Sequence, residues 1–183
     1  MTIAAAGLAL VAGLAGCSGP SGPTAQDLRA AQPPDGVVYA EIPDDAPPGP
    51  DGELVLADGA IAISELTAER PVVLVFLESW CTTCADQQAG VNEAVARYGD
   101  AVTFVGVASA SDPDDLAAYA RDHDVTYALA QDPGGELARA FAVDEAPFAV
   151  VLGEGNRLVR GWPYYPADLT DAIEGLLVAE LPE

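Results

Sequence analysis

The stretch VVLVFLESWCTTC, residues 72–84, decides the fold of this chain. Its first six residues form an apolar run typical of a buried strand, and the residues from Cys81 onward predict a helix. A Cys-x-x-Cys pair at the junction of a strand and a helix is the arrangement of a dithiol redox site. The amides and the dipole at the helix start stabilise the Cys81 sulfur as a thiolate, which is the attacking form. Cys84 follows one helical turn later, close enough to form a disulfide with Cys81.

Two other interpretations of the cysteine pair are half of a zinc site and two buried thiols. Zinc needs two further ligands, and the chain offers only Cys17 and His123. Cys17 has a separate assignment, given below, and a lone histidine far from the pair is a poor indication of a metal. We therefore predict a redox site that holds no metal ion and no cofactor.

Cys17 ends a short apolar segment at the start of the chain. The run 3–15 has 13 residues, too few for a membrane-spanning helix, which needs about 20. It closes on Leu14-Ala15-Gly16-Cys17, which resembles the lipobox of bacterial lipoprotein signal peptides, although Met1-Thr2 supplies no lysine or arginine. In that family the chain is cut before the cysteine, which then carries the lipid. The resemblance implies a signal peptide over residues 1–16, lipidation of Cys17 and an extracytoplasmic protein anchored to the bacterial cell membrane.

The charge of the chain limits the kinds of molecule that it can bind. The formal net charge is −22, and all seven cationic residues are arginines. Nucleic-acid binding is excluded because phosphate contact needs a basic face. An anionic membrane surface would repel the domain, so the lipid rather than charge would hold it there. With Cys17 lipidated, the two cysteines left for an oxidising compartment are those of the motif.

The chain divides into a tether and one globular domain. Residues 17–50 begin with the lipidated cysteine, and residues 18–50 contain eight of the 15 prolines. Such a segment buries too little apolar surface to fold, so it predicts a flexible, proline-stiffened tether. The domain occupies residues 51–183.

Strands and helices alternate within that domain. A hairpin around Asp58-Gly59 is predicted first, then the strand at 72–77 and a helix over 81–98. The following segments predict, in order, a strand (102–108), a helix (111–123), a strand (126–130), a short helix (135–141), a hairpin (148–152 with 157–161) and a last helix from Pro166. The pattern predicts an α/β fold with a central mixed β-sheet flanked by helices.

Residues 51–183 resemble the TlpA/ResA-like extracytoplasmic thiol–disulfide oxidoreductases, which have the thioredoxin fold. The resemblance is carried by the early hairpin, the Trp80–Cys84 motif after a strand, the inserted helix and strand at 112–130, and Ala146-Pro147 before a strand. It implies that Cys81 is the exposed nucleophile and Cys84 the resolving thiol. It also implies a cis bond at Ala146–Pro147 facing the cysteines, although X–Pro bonds by themselves favour trans.

Four residues are predicted to bind the client protein: Trp80, Ala146, Pro147 and Trp162. Backbone groups of Ala146 would pair with an extended client peptide. Trp80 and Trp162 are each equally consistent with ordinary core packing.

The chain departs from the family pattern at two positions where relatives often carry an acid that could accept the proton of Cys84. Val75 stands where the fold often carries a buried acid, and Gln87 where TlpA/ResA relatives often have a glutamate. Glu78 and Asp86 are the substitute proton relays by proximity in sequence, and either is also consistent with a plain surface carboxylate.

The predicted function is that of a membrane-anchored thiol–disulfide oxidoreductase. It would reduce client disulfides through Cys81 and Cys84 and receive electrons from a membrane thiol donor. The sequence does not choose the direction of electron flow. The alternative is a non-enzymatic redox-sensing or binding lipoprotein with the same fold. A copper chaperone is disfavoured because Met1 is the only methionine.

Overall fold

The computed structural model describes residues 22–164 and 167–178, and within them it shows one seven-stranded sheet flanked by helices. The strand order is β2-β1-β5-β4-β3-β6-β7. The strands are β1 (Glu53–Leu56), β2 (Gly59–Ala62), β3 (Val72–Phe76), β4 (Thr103–Ala108), β5 (Ala128–Gln131), β6 (Phe148–Gly153) and β7 (Arg157–Pro163). The helices are α1 (Ala25–Ala30), α2 (Ile63–Leu66), α3 (Thr82–Tyr98), α4 (Pro113–Asp122), α5 (Glu136–Ala140) and α6 (Ala167–Glu174).

The centre of the sheet is β3, which is parallel to β4 and antiparallel to β6. All five residues of β3 are buried, as an apolar strand with helices on both faces requires. Val73 and Val75 pack among side chains of α3, α4 and α6. Val72, Leu74 and Phe76 pack on the opposite face, among side chains that include those of α2 and α5. The predicted α/β class with a mixed sheet is confirmed.

The structure confirms most of the predicted elements and adds two short helices. The hairpin around Asp58-Gly59 forms with Leu56 paired to Gly59, and α3 begins and ends within one residue of its predicted bounds. Helices α1 and α2, of six and four residues, were not predicted. Both are too short to show a helical apolar period, and α1 depends on a capping box formed by Thr24 and Asp27.

Residues 22–50, predicted as part of a flexible tether, lie against the domain in this structure. Asp58 accepts hydrogen bonds from the amides at the start of α1, with Ala25 N at 2.8 Å. Further along, Ala40 N donates to Leu176 O at 2.8 Å and Gly49 N donates to Asn156 O at 2.7 Å. Composition could not predict this packing, because the few apolar side chains of the segment contact residues that are distant in sequence.

The predicted signal peptide and Cys17 lie outside the described residues, so both stay predictions, as do the domain boundaries. Across 22–164 and 167–178, no helix combines the length and the apolar character that a membrane crossing needs.

Candidate dithiol active site

The end of β3 and the start of α3 place the two cysteines. Leu77 N donates to Val107 O at 3.0 Å, which keeps the chain on the sheet for one residue beyond β3. The chain then turns, with Cys81 N donating to Glu78 O at 3.0 Å. Cys81 is the N-cap of α3, and its sulfur accepts a hydrogen bond from Cys84 N at 3.0 Å. A helix N-terminus presents free amides to this sulfur, so it stabilises negative charge there.

Cys81 and Cys84 form a disulfide, with their Cα atoms 5.2 Å apart. Cys81 is 8% exposed and Cys84 is completely buried. A partner molecule therefore reaches the pair at Cys81. This is the arrangement expected if Cys81 attacks first and Cys84 resolves, although the roles themselves stay predictions.

The Ala146–Pro147 peptide bond is cis, as predicted. Pro147 directly precedes β6, whose first residue, Phe148, pairs with Phe76 at the end of β3. This register brings Ala146 O to 3.8 Å from Cys81 Sγ. The predicted placement of this turn against Cys81 is therefore confirmed.

The two tryptophans predicted to bind a client have opposite environments. Trp80 is 70% exposed, next to Cys81. Trp162 is 7% exposed and packs in the core cluster that contains both cysteines. A client can contact Trp80 directly, whereas the position of Trp162 favours the core-packing interpretation. The guanidinium of Arg160 lies over the Trp162 ring, 5.0 Å from its centroid.

Tyr164 belongs to an aromatic run, residues 162–165, whose sequence is consistent with a partner-binding rim or with a cap on the core. It is 52% exposed, and its amide donates to Pro147 O at 3.1 Å. Trp162 and Pro163 of this run belong to β7, so Tyr164 is its first residue beyond the sheet. Its hydrogen bond to Pro147 O places Tyr164 beside the Ala146–Pro147 turn that contacts Cys81.

The two predicted proton relays also differ. Asp86 is exposed on α3. Glu78 is 8% exposed, and its carboxylate accepts hydrogen bonds from Ser109 N, Ala110 N and Ser111 Oγ, in the loop after β4. Val75 is fully buried at the position where the fold often carries an acid.

A buried polar network lies one turn beyond Cys84, and sequence reasoning missed it. Tyr119 and Tyr127 both donate from their hydroxyls to Gln88 Oε1, each at 3.1 Å. Gln88 Nε2 donates to Asn92 Oδ1 at 2.9 Å, and Asn92 Nδ2 donates to His123 O at 2.8 Å. Burial raises the pKa of Tyr119 to about 12 and also raises the pKa of Tyr127. The network joins α3 to α4 and to the loop before β5. His123 itself is the C-cap of α4, with its ring 4.5 Å from that of Tyr119.

The chain is similar to two proteins of related description. One is a thioredoxin-like protein of Haemophilus influenzae, which is 26% identical to this chain over 101 residues. The aligned region covers 55% of this chain and 59% of that protein. The other is the thiol-disulfide oxidoreductase YkuV of Bacillus subtilis, which is 27% identical to this chain over 112 residues. The aligned region covers 58% of this chain and 76% of that protein. The match therefore spans less than two thirds of the Haemophilus protein.

Among solved structures, the fold is similar to that of the exposed lipoprotein thioredoxin Etrx1 of Streptococcus pneumoniae. The TM-score is 0.58 at 24% identity, and the match covers 68% of this chain and 99% of that one. The mixed sheet with flanking helices is thus the thioredoxin fold, as the resemblance implied.

The Cys81–Cys84 disulfide therefore lies on a thioredoxin fold, and one relative of the chain carries the name thiol-disulfide oxidoreductase. Residues 46–159 match the sequence profile of the AhpC/TSA family. That match covers more than half of the chain, so this chain belongs to the AhpC/TSA family.

Proposed function

We propose that this protein is a lipid-anchored, extracytoplasmic enzyme that reduces disulfides in client proteins. The observation that carries the proposal is the placement of Cys81. Its sulfur lies at the N-terminus of α3, 3.8 Å from Ala146 O, and Cys81 is the cysteine of the pair that keeps some accessible surface. A thiolate at this point meets a client disulfide beside a backbone carbonyl that can pair with the client peptide.

The reaction proceeds through two thiol–disulfide exchanges. The Cys81 thiolate attacks one sulfur of the client disulfide, a Cys81–client bond forms, and the other client sulfur leaves and takes a proton from water. The Cys84 thiolate then attacks the Cys81 sulfur, which re-forms the internal disulfide and releases the client dithiol. The client gains two electrons, and a membrane thiol donor restores them to Cys81 and Cys84 by the same exchanges.

The residues around Cys81 have separate roles in client binding and proton transfer. Ala146 and Pro147 hold the client backbone, and the exposed ring of Trp80 covers the client side chains. Trp162 shapes the site from within the core. Of the two predicted proton relays, Asp86 is exposed on α3 and open to water, whereas the Glu78 carboxylate accepts hydrogen bonds from three donors.

The location outside the cytoplasmic membrane is supported by the sequence Leu14-Ala15-Gly16-Cys17 and by the similarity of the fold to a protein described as an exposed lipoprotein. A TlpA/ResA-like lipoprotein accounts for both features. Residues 22–50 lie on the domain, so only residues 18–21 separate the lipidated cysteine from the described structure.

The test of the reaction is a trapping experiment with Cys84→Ser. Without the resolving thiol, the mixed disulfide between Cys81 and the client accumulates and appears as high-mass bands on non-reducing gels. Cys81→Ser is the matched control and gives none. If Cys84→Ser shows no bands beyond this control, and wild type fails to reduce insulin, the sensor alternative replaces the enzyme.

The test of the anchor is Cys17→Ala. The expected result is loss of the protein from the membrane fraction, together with loss of acyl labelling that wild type shows. A lipoprotein cysteine carries several acyl chains, and a single chain holds a protein only marginally. Unchanged membrane partition with no acyl label on wild type contradicts the anchor.

A further inference from the structure

We propose that Glu78 is a positioning residue for Cys81 that acts through the hydrogen bonds of its carboxylate and not as a proton relay. The inference rests on the proposed function of the dithiol. It starts from an unusual environment: Glu78 is 8% exposed, and each of its two carboxylate oxygens accepts a hydrogen bond from the loop after β4.

The carboxylate joins two loops in a closed ring. Oε1 accepts from Ser109 N at 2.8 Å and from Ala110 N at 3.0 Å. Oε2 accepts from Ser111 Oγ at 2.6 Å, and the same Ser111 Oγ accepts from Ser79 N at 2.8 Å. Hydrogen bonds to an ionised group are about twice as strong as neutral ones, so this ring holds the loop before Cys81 firmly.

The same residue reaches Cys81 through its backbone. Glu78 O accepts from Cys81 N at 3.0 Å. The four-residue turn 78–81 is therefore held at its start by the Glu78 carboxylate, at its second residue by Ser111, and at its end by Glu78 O. This turn delivers Cys81 Sγ to Cys84 N, 3.0 Å away, and to Ala146 O.

The loop that receives the carboxylate is itself anchored. Ser109 Oγ donates to Asp132 Oδ2 at 3.0 Å, and Asp132 accepts from Leu137 N and Ala138 N at the start of α5. Glu78 thus fastens the dithiol turn to a loop that is hydrogen-bonded, through Asp132, to the start of α5. A proton relay would need free lone pairs directed to the sulfur and to water, whereas the carboxylate of Glu78 is engaged by three donors from another loop.

Two substitutions of Glu78 separate positioning from charge. Glu78→Gln keeps an acceptor for Ser109 N and Ala110 N, and its amide can donate to Ser111 Oγ, but it carries no charge and relays no proton. Glu78→Ala removes the ring. The readout is the pKa of the Cys81 thiol, taken from the pH dependence of iodoacetamide alkylation in a Cys84→Ser background, where no client is needed.

The two variants are expected to affect the pKa of the Cys81 thiol differently. Glu78→Gln leaves it unchanged or lowers it, because a nearby negative charge disfavours a thiolate. Glu78→Ala raises it, with alkylation near neutral pH about tenfold slower, the equivalent of one pKa unit. Glu93→Ala, which removes an exposed acid later on α3, is the control and changes nothing. The proposal is overturned if Glu78→Ala lowers the pKa of the Cys81 thiol or leaves it unchanged, or if both variants slow alkylation equally.

If Glu78→Ala does not fold, as judged by thermal unfolding, Ser111→Ala replaces it. That variant breaks the link between Ser79 and Glu78 while leaving both backbone donors in place. It is expected to slow alkylation of Cys81 measurably, and an unchanged rate overturns the proposal. Failure of wild type to reduce insulin would instead contradict the proposed function, because alkylation measures Cys81 without any client.

Discussion

At the scale of single residues, the two cysteines differ by a small amount of exposed surface that has a large chemical consequence. Cys81 is 8% exposed and accepts a hydrogen bond from Cys84 N, whereas Cys84 is completely buried. Access and thiolate stabilisation therefore coincide at one sulfur, as a nucleophile requires.

Cys81 is expected to react first when the reduced domain meets limiting iodoacetamide. The physical reason is that it combines the accessible surface with the helix N-terminus. Peptide mapping by mass spectrometry measures the labelled fraction of each cysteine. Preferential labelling of Cys84 would show that the assigned roles are reversed.

Trp80 and Trp162 form a natural pair for separating client binding from folding. Trp80→Ala removes a ring that is 70% exposed and is expected to change the free energy of unfolding by less than about 0.5 kcal/mol, while raising the KM for a client. Trp162→Ala empties a core position and is expected to cost about 3–5 kcal/mol. Urea unfolding and insulin-reduction kinetics measure the two effects, and a large stability loss in Trp80→Ala would contradict the surface role.

At the scale of elements, the Gln88 network fastens α3 to α4. Gln88 is 1% exposed and serves two tyrosine hydroxyls from elsewhere in the chain, one on α4 and one before β5. Buried polar groups of this kind are stabilising only while every partner is present, because an unsatisfied group keeps its desolvation cost.

Gln88→Leu is expected to lower the free energy of unfolding by about 2–4 kcal/mol, because it leaves two buried tyrosine hydroxyls without their acceptor. Urea unfolding measures the loss. Gln26→Leu, at an exposed position on α1, is the control and should change little. A loss equal to that of the control would mean that water replaces the amide in this network.

The same network predicts a loss of stability at high pH. The folded pKa of Tyr119 is raised to about 12 from a reference value of 10.0, because burial disfavours the phenolate. Between these two values the unfolded chain gives up a proton that the folded domain keeps, so stability falls as pH rises through this window. Urea midpoints at pH 9.5 and 11.5 test the direction, and Tyr119→Phe should reduce the difference.

At the scale of the whole molecule, residues 22–50 are part of the folded body. They contact the β1–β2 hairpin, the start of β7 and the residues after α6. Tyr39 also donates from its hydroxyl to Ala101 O at 2.6 Å, at the entrance to β4. The segment thus links elements that are far apart in the sheet.

A protein that begins at Asp51 is expected to be less stable than one that begins at Gly22 by roughly 3 kcal/mol or more. Four backbone hydrogen bonds of the segment would be lost, at Val38, Ala40, Pro47 and Gly49, each contributing about 1 kcal/mol. Urea unfolding of the two fragments measures the difference. Equal stability would restore the interpretation of this segment as a free tether.

The sequence by itself determined the position of the dithiol, the α/β class and most of the element order. These features have local causes. Apolar periodicity, helix-start residues and turn residues are all sequence patterns that span only a few positions. The cis bond before β6 came from the family resemblance, because the local preference of an X–Pro bond is trans.

Only the tertiary structure decided which residues serve the dithiol and which serve the core. The donors to the Glu78 carboxylate lie 31–33 residues along the chain, and those to Gln88 lie 31 and 39 residues away. Trp80 and Trp162 have the same side chain, yet one is exposed and the other is core. Such assignments depend on strand register and on how helices pack across the sheet, and no local pattern records either.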